Sequence, residues 1–174
     1  MAAGFCFLNL MYMKNVMLLV LGAVVAVSCS GSLQTDPDEG RAVVFRDGSE
    51  EYPFVPEDFK SGGAILLEYL DGTDEVWVGG WVVGYVSGTK ISTVVFGAGE
   101  GSKASNIVIC GAQDGSGQLF PVQLSTSSEE SKAVRAQLNL LDNPDVLGCE
   151  ICIRGHLANY MGTIGLKSTT AAIF

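Results

Sequence analysis

Two cysteines have the spacing that most resembles a chemical site in this chain. Cys149 and Cys152 are separated by two residues, as in dithiol redox centres and in half of a zinc site. They fall in an alternating segment, residues 149–157 (CEICIRGHL), which predicts a half-buried strand. Positions three apart on a strand point to opposite faces, so the two sulfurs are not expected to share a metal ion. We therefore predict no metal site.

The other cysteines depend on the compartment. Cys6 precedes the expected start of translation, and Cys29 follows an export segment. An oxidising compartment permits one disulfide among the remaining three, Cys110, Cys149 and Cys152, and leaves one thiol over. The alternative, which we prefer, is that all three are small buried hydrophobic residues.

Other groups that carry chemistry are isolated. His156 is the single histidine, so it has no Ser-His-Asp or Cys-His arrangement and is expected to be structural. Residues 97–101 (GAGEG) lack the Lys-Ser/Thr ending of a phosphate-binding loop and predict a turn. Arg135 and Asn139, four apart on a helix, either brace loop carbonyls or hold an anion. We predict no catalytic residue and no cofactor, so the chain is not expected to be an enzyme.

The N-terminal residues predict export and a lipid anchor. Lys14 precedes an apolar run at 16–27, which is the layout of a signal peptide and shorter than the roughly 20 residues of a membrane helix. Translation from Met1 would lengthen that run and favour a membrane span, but Met13 is the preferred start. The small residues before Cys29 resemble the lipobox of bacterial lipoproteins. This resemblance implies cleavage before Cys29 and acylation of its thiol, which would hold the protein on the outer membrane, on its periplasmic or external side. The alternative is a free cysteine after an ordinary signal peptide.

Charge divides the rest of the chain. The net charge of −9 and the pI of about 4.4 disfavour nucleic acid as a partner, because phosphate repels acidic surfaces. Residues 30–75 contain twelve acids and three bases, whereas residues 76–174 contain seven and six. We divide the chain into a signal peptide (1–28), a lipidated acidic tether (29–40), an N-terminal extension (41–75) and a folded domain (76–174).

The folded domain has the pattern of a small β-barrel. Residues 76–86 form a long β-run broken by glycines, as expected of a coiled strand in a closed barrel. A helix is predicted at 131–141, with Val134, Leu138 and Leu141 on its buried stripe. The other predicted strands are 91–96, 106–110, 119–124, 149–157 and 166–174. Strands, one helix and then two strands is the order of an OB-fold, a five-stranded Greek-key barrel. We therefore predict a mainly β protein with this architecture.

Several stretches also resemble a known family. They are residues 76–88, 105–109, 121–124, 134–144 and 159–166. They are similar to an uncharacterised OB-fold domain of exported lipoproteins from Bacteroides-like bacteria, over about residues 74–174. Distant relatives of that domain resemble nucleic-acid-binding OB domains of secreted nucleases. The resemblance implies fold and export, but the family has no settled function. This chain departs from it at Cys149, at Cys152 and at 125–130.

The predicted fold indicates where a ligand would bind. OB-folds bind ligands on the face of strands 2 and 3, between the loops that join strands 1–2 and 4–5. We predict these loops at 87–105 and 158–165. They supply the candidate ligand-binding residues Lys90, Lys103, Asn106, Asn159 and Tyr160. Tyr160 either stacks on a sugar or a base or plugs the barrel end.

The function prediction also depends on the two tryptophans of the first strand and on the absence of a basic cluster in the sequence. Trp77 and Trp81 share a face, which is buried or else forms an exposed aromatic platform. We predict a non-catalytic envelope lipoprotein whose barrel binds an extracellular glycan or a protein partner. The alternatives are a single-stranded nucleic-acid-binding domain, which the charge makes less favoured, and a purely structural envelope protein.

Overall fold

The structure is a computed structural model that describes residues 45–60, 70 and 73–174, together with two short strands. These strands, β1 (Gln34–Thr35) and β2 (Ala42–Val43), pair antiparallel. The predicted signal peptide and Cys29 lie outside the described residues, as do residues 61–69. The chain divides into two compact units, residues 1–45 and 46–174, and the second contains the barrel.

Six strands form the sheet in the described part of the second unit. They are β3 (Val76–Val86), β4 (Val94–Phe96), β5 (Asn106–Cys110), β6 (Leu119–Gln123), β7 (Glu150–Tyr160) and β8 (Thr163–Ile173). Their order is β4-β3-β5-β6-β8-β7, and β7 also pairs with β3, so five strands close a barrel and β4 is an extra strand. The β6–β8 pairing is parallel and the others are antiparallel. The predicted class, mainly β with one helix and an OB-fold-like barrel, is confirmed.

The long strand β3 belongs to both halves of the barrel. Its first half pairs with β7 and its second half with β5, and the register shifts between Val82 and Gly84. Gly84 is needed for a close approach, because a Cβ there would collide with the carbonyl oxygen of Val95 in β4. The predicted strand and its glycine-dependent bulge are therefore confirmed.

The α-helix α1 (Glu129–Leu138) lies between β6 and β7 and contributes Val134 and Leu138 to the core. Its N-terminus is capped by Ser128, whose hydroxyl accepts a hydrogen bond from the backbone N–H of Ser131 at 3.1 Å. The helix predicted at 131–141 begins two residues earlier and ends three residues earlier in the structure. Leu141, expected on the buried stripe, is 56% exposed because the chain leaves the helix at Asn139. No helix in the described residues has the length and apolar character needed to cross a membrane.

Residues 46–60 pack onto the barrel. Phe54 lies beside β3: its N–H donates to the carbonyl of Trp77 at 2.9 Å, and the N–H of Gly79 donates to the carbonyl of Phe54 at 2.8 Å. The first half of β3 thus has partners on both sides, with β7 on one edge and Phe54 on the other. The segment predicted as part of an extension therefore contributes to the folded unit.

Three aromatic rings fix that segment in the core. Phe54 is 1% exposed, and its ring lies edge-on to Phe59 at a centroid distance of 5.6 Å. Phe59 in turn stacks on Phe120 of β6 at 5.0 Å. Phe59 is presented by a short 3-10 helix, Pro56–Phe59. Such buried aromatic pairs contribute both apolar area and specific geometry.

Candidate functional site

The outer face of β5 and β6, where OB-folds bind ligands, is covered in this protein. Val108, Cys110 and Pro121 on that face are all buried. They are covered by a second hydrophobic cluster, which we call the outer cluster. Its buried members are Val83, Val86, Val108 and Cys110, and Trp81, Ile91, Val94, Ala112, Leu119 and Met161 pack against it. The segment 87–105, predicted to flank an open face, therefore folds back over it.

The loop predicted at 158–165 is instead a turn of two residues. β7 continues to Tyr160 and β8 begins at Thr163. The two residues between them, Met161 and Gly162, have positive φ angles of 55° and 82°. Such a conformation matches the twist of antiparallel strands and permits a tight connection. The prediction of a long loop was wrong because residues 163–165 belong to β8. Gly165 is a glycine for a packing reason and not for a loop, since a Cβ there would collide with the backbone of Pro121.

A main-chain hydrogen bond joins the two loop regions. The N–H of Ile91 donates to the carbonyl of Met161 at 2.9 Å. Lys90 and Tyr160 directly adjoin these two residues, so they lie at the same end of the barrel. The exposed Asn159 is the next residue of β7. Three of the five predicted site residues are thus brought together.

Lys167 of β8 completes this group, which we call the loop rim: Lys90, Asn159, Tyr160 and Lys167. The Lys167 ammonium nitrogen lies 5.9 Å from the centre of the Tyr160 ring, within cation–π range. Partial burial raises the pKa of Tyr160, which keeps the phenol neutral. The loop rim therefore presents a half-buried ring beside the Lys167 ammonium group.

Asn106 was predicted as a ligand-binding residue but is structural. Its side chain is buried, and its Oδ1 accepts a hydrogen bond from the N–H of Val86 at 2.7 Å. Its amide nitrogen donates to the carbonyl of the same residue at 3.3 Å. These two bonds occupy both ends of the amide, so Asn106 clamps the end of β3. Lys103 is exposed between β4 and β5.

A polar group on the outer face of β7 and β8 was not anticipated. Arg154 Nε lies 3.1 Å from a carboxylate oxygen of Glu75 and donates to the hydroxyl of Thr170 at 3.0 Å. The Arg154 guanidinium carbon lies 5.7 Å from the centre of the Trp77 ring. His156, two residues further along β7, has Nε2 4.0 Å from Glu75. The alternation of residues along β7 could have predicted part of this group, because it places Arg154 and His156 on one face of the strand.

The two tryptophans also lie on the outer face, opposite Arg154 and Glu150 of β7. Trp77 is only 8% exposed, and Trp81 is half-buried against the outer cluster. They are therefore covered from outside the barrel and do not form an exposed aromatic platform.

The three described cysteines are free thiols. Cys110 is buried as expected, whereas Cys149 and Cys152 are half-buried. Burial, with a smaller contribution from Glu50, raises the pKa of Cys152 to about 11, so its thiol stays protonated at neutral pH. Within the described residues, no group of three or more His, Cys, Asp and Glu side chains is placed to hold a metal ion.

The charged residues of the domain are segregated along the sequence. From Val76 onward, all seven acids lie within residues 100–150. The segments 76–99 and 151–174 contain Lys90, Arg154 and Lys167 and no acid. Since these segments supply all four residues of the loop rim, the loop rim is basic in an acidic chain.

The fold and the loop rim define a class of protein: a small OB-fold-like barrel whose usual ligand face is covered and whose candidate ligand-binding groups lie at one end. Residues 65–174 match a family described as Domain of unknown function (DUF6359), and the chain belongs to this family. The expected resemblance to an uncharacterised domain is thereby confirmed, with a match that begins at residue 65 rather than 74. The sequence has no significant match among curated proteins.

Proposed function

We propose that this chain is a non-catalytic lipoprotein of the bacterial cell envelope whose barrel binds an extracellular glycan at the loop rim. The observation that supports this most directly is the hydrogen bond from Ile91 to Met161. It holds Lys90 beside Tyr160 and Asn159 on two connected elements. A site fixed by strands and a tight turn is already organised before a ligand arrives.

The side chains of the loop rim suit a sugar. A tyrosine ring packs against the apolar face of a pyranose, and the Asn159 amide and lysine ammonium groups hydrogen-bond to hydroxyls. Nucleic acid is less well supported, because the outer face of β5 and β6 is buried under Ile91 and Val94. That face would otherwise supply the successive stacking platforms of single-strand binders.

A glycan array probed with the full chain in non-ionic detergent tests this function. We expect Tyr160→Ala to weaken binding to the recognised glycan about tenfold, which is equivalent to the loss of about one stacking contact. Tyr160→Phe, which keeps the ring, should bind within about twofold of the wild type. Retention of no glycan at all, or equal binding by Tyr160→Ala, would contradict the proposal.

The attachment to a membrane is a separate part of the proposal and rests on residues 13–29, which resemble the signal peptide and lipobox of bacterial lipoproteins. Cells grown with labelled palmitate should incorporate the label into the wild-type chain and not into Cys29→Ala. The matched control is Cys152→Ala, which should retain the label. Label in the Cys29→Ala chain would contradict the proposal, because another residue would then carry the lipid.

A further inference from the structure

The loop rim continues into a row of basic side chains on the outer face of the β7–β8 hairpin. His156 and Lys167 are directly paired across the two strands, and the next pair, Leu157 and Leu166, is buried in the core. Side chains alternate between faces on a strand, so His156 and Lys167 project outward together. Arg154 lies two residues before His156 and therefore on the same outer face. We call Arg154, His156 and Lys167 the cation row.

The groups in the cation row are accessible. The side chains of Arg154 and His156 are 41% and 35% exposed. Among the described residues, the polar contacts of Arg154 are all made through Nε, with Glu75 and Thr170. The two terminal guanidinium nitrogens thus remain available for a bidentate contact with a carboxylate. Glu75, which also approaches His156, faces the row, and Glu50 lies near enough to Cys152, on the same face of β7, to contribute to the raised pKa of that thiol.

The surrounding charge favours an anionic ligand. Residues 151–174 contain no acid, but Glu150 at the start of β7 lies on the same outer face as Arg154, and Glu75 is ion-paired with Arg154, so the excess positive charge lies at the Lys167 end of the row. A negative polymer would be repelled from most of this chain and attracted to the Lys167 end of the cation row, so the charge favours an anionic ligand beside Tyr160.

The length of the row favours a chain of sugars over a single one. Tyr160 lies six residues beyond Arg154 on β7, a separation on the order of 20 Å along a strand. Lys167 reaches towards the Tyr160 ring, so a sugar stacked on that ring has its substituents near an ammonium group. We propose that the ligand is a linear polysaccharide with carboxylate groups, which lies along β7 from Tyr160 to Arg154. This inference rests on the proposed glycan-binding function and specifies its ligand class.

A carboxylated glycan fits the row better than nucleic acid does. Tyr160 is half-buried yet reachable at the loop rim, whereas Trp77, the other aromatic residue beside the row, is covered by Arg154. Single-strand binders need several stacking platforms and a continuous basic groove. Two permanent cations and one histidine match the sparse charges of an acidic polysaccharide better than the dense charges of a phosphate backbone.

Three probes test the ligand class with the full chain in non-ionic detergent: polygalacturonate, the same polymer with its carboxylates reduced to alcohols, and single-stranded oligothymidylate. We expect polygalacturonate to bind at least about tenfold more tightly than either of the others, which corresponds to a few charge contacts. Lys167→Met should weaken polygalacturonate binding about threefold to fivefold more than it weakens binding of the reduced polymer, which loses only the hydroxyl contact of the ammonium group. The control is Lys132→Met on α1, an exposed lysine paired with Glu129, which should change neither.

The contradictory outcomes separate the two proposals. Equal binding of the charged and the reduced polymer, lost in Tyr160→Ala, would overturn the carboxylate inference and leave the glycan-binding function intact. Tighter binding of oligothymidylate would replace the glycan with nucleic acid. An absence of binding to all three probes together with an empty glycan array would overturn both proposals. Circular dichroism of Lys167→Met should show wild-type folding, as expected for an outward-facing side chain.

Discussion

Replacing Phe54 with alanine is expected to lower the free energy of unfolding by about 3–5 kcal/mol. The Phe54 ring is almost fully buried and packs on Phe59, which stacks on Phe120 of the barrel. Removing it leaves a cavity lined by groups that cannot all relax into the space. Since small domains have a total stability of about 5–15 kcal/mol, this loss is a large fraction of the whole. Urea denaturation of the chain from residue 30 onward, followed by tryptophan fluorescence, measures it.

The matched control for this prediction is the exposed ring of Phe174, which is 70% accessible. Phe174→Ala should change the free energy of unfolding by no more than about 0.5 kcal/mol. The comparison has a consequence for the family, because the DUF6359 match begins at residue 65 and Phe54 precedes it. A Phe54→Ala chain as stable as the Phe174→Ala chain would show that residues 46–60 are not part of the folding unit.

The barrel itself was predictable because local pattern and tertiary role agree in β3. Its apolar run predicts a strand, and Gly84 inside it predicts a bend, which the structure shows as a shifted register. The order of elements then leaves few ways to close the sheet. The end of α1 was not predictable in the same way. Leu141 fits the helical period, but Asn139 accepts a hydrogen bond from the N–H of Asp142 and ends the helix before it.

The covered ligand face of β5 and β6 could not be predicted, because a sequence pattern does not identify the packing partners of an apolar residue. Ile91 and Val94 lie in a segment with many small and polar residues, so their apolar character predicts burial without saying against what. The packing partners, Val86 and Val108 of the outer cluster, are brought near only by the tertiary fold. The segment 87–105, predicted to border the binding face of β5 and β6, therefore covers that face.

The candidate site was predicted in part. Lys90, Asn159 and Tyr160 come together because the OB-fold order places the first and last connections at one barrel end. The cation row was missed because the register of β7 and β8 shifts between Arg154 and His156. An irregularity of this kind, accompanied by a positive φ of 49° at Ser168, cannot be located from the alternation of residues alone. The pairing of His156 with Lys167 was therefore visible only in the structure.

Asn106→Ala is the second substitution with a large expected effect, a loss of about 2–4 kcal/mol in the free energy of unfolding. The Asn106 side chain satisfies both backbone groups of Val86, which is itself 1% exposed. Alanine leaves a buried N–H and a buried carbonyl without these partners, and each unsatisfied group costs about 1–3 kcal/mol. The same urea denaturation measures the change.

A sequence pattern does not distinguish a polar residue that clamps the fold from one that contacts a ligand, and Asn106 and Asn159 separate the two cases. Asn159 is exposed at the loop rim, so Asn159→Ala should change stability by no more than about 0.5 kcal/mol while weakening glycan binding. Asn106→Ala should lower the stability and leave the glycan affinity of the remaining folded molecules unchanged. The loss of stability is expected because Val86 leads directly into the segment that carries the outer cluster. An Asn106→Ala chain that keeps its stability and loses the glycan would return Asn106 to the binding site and remove the clamp from β3.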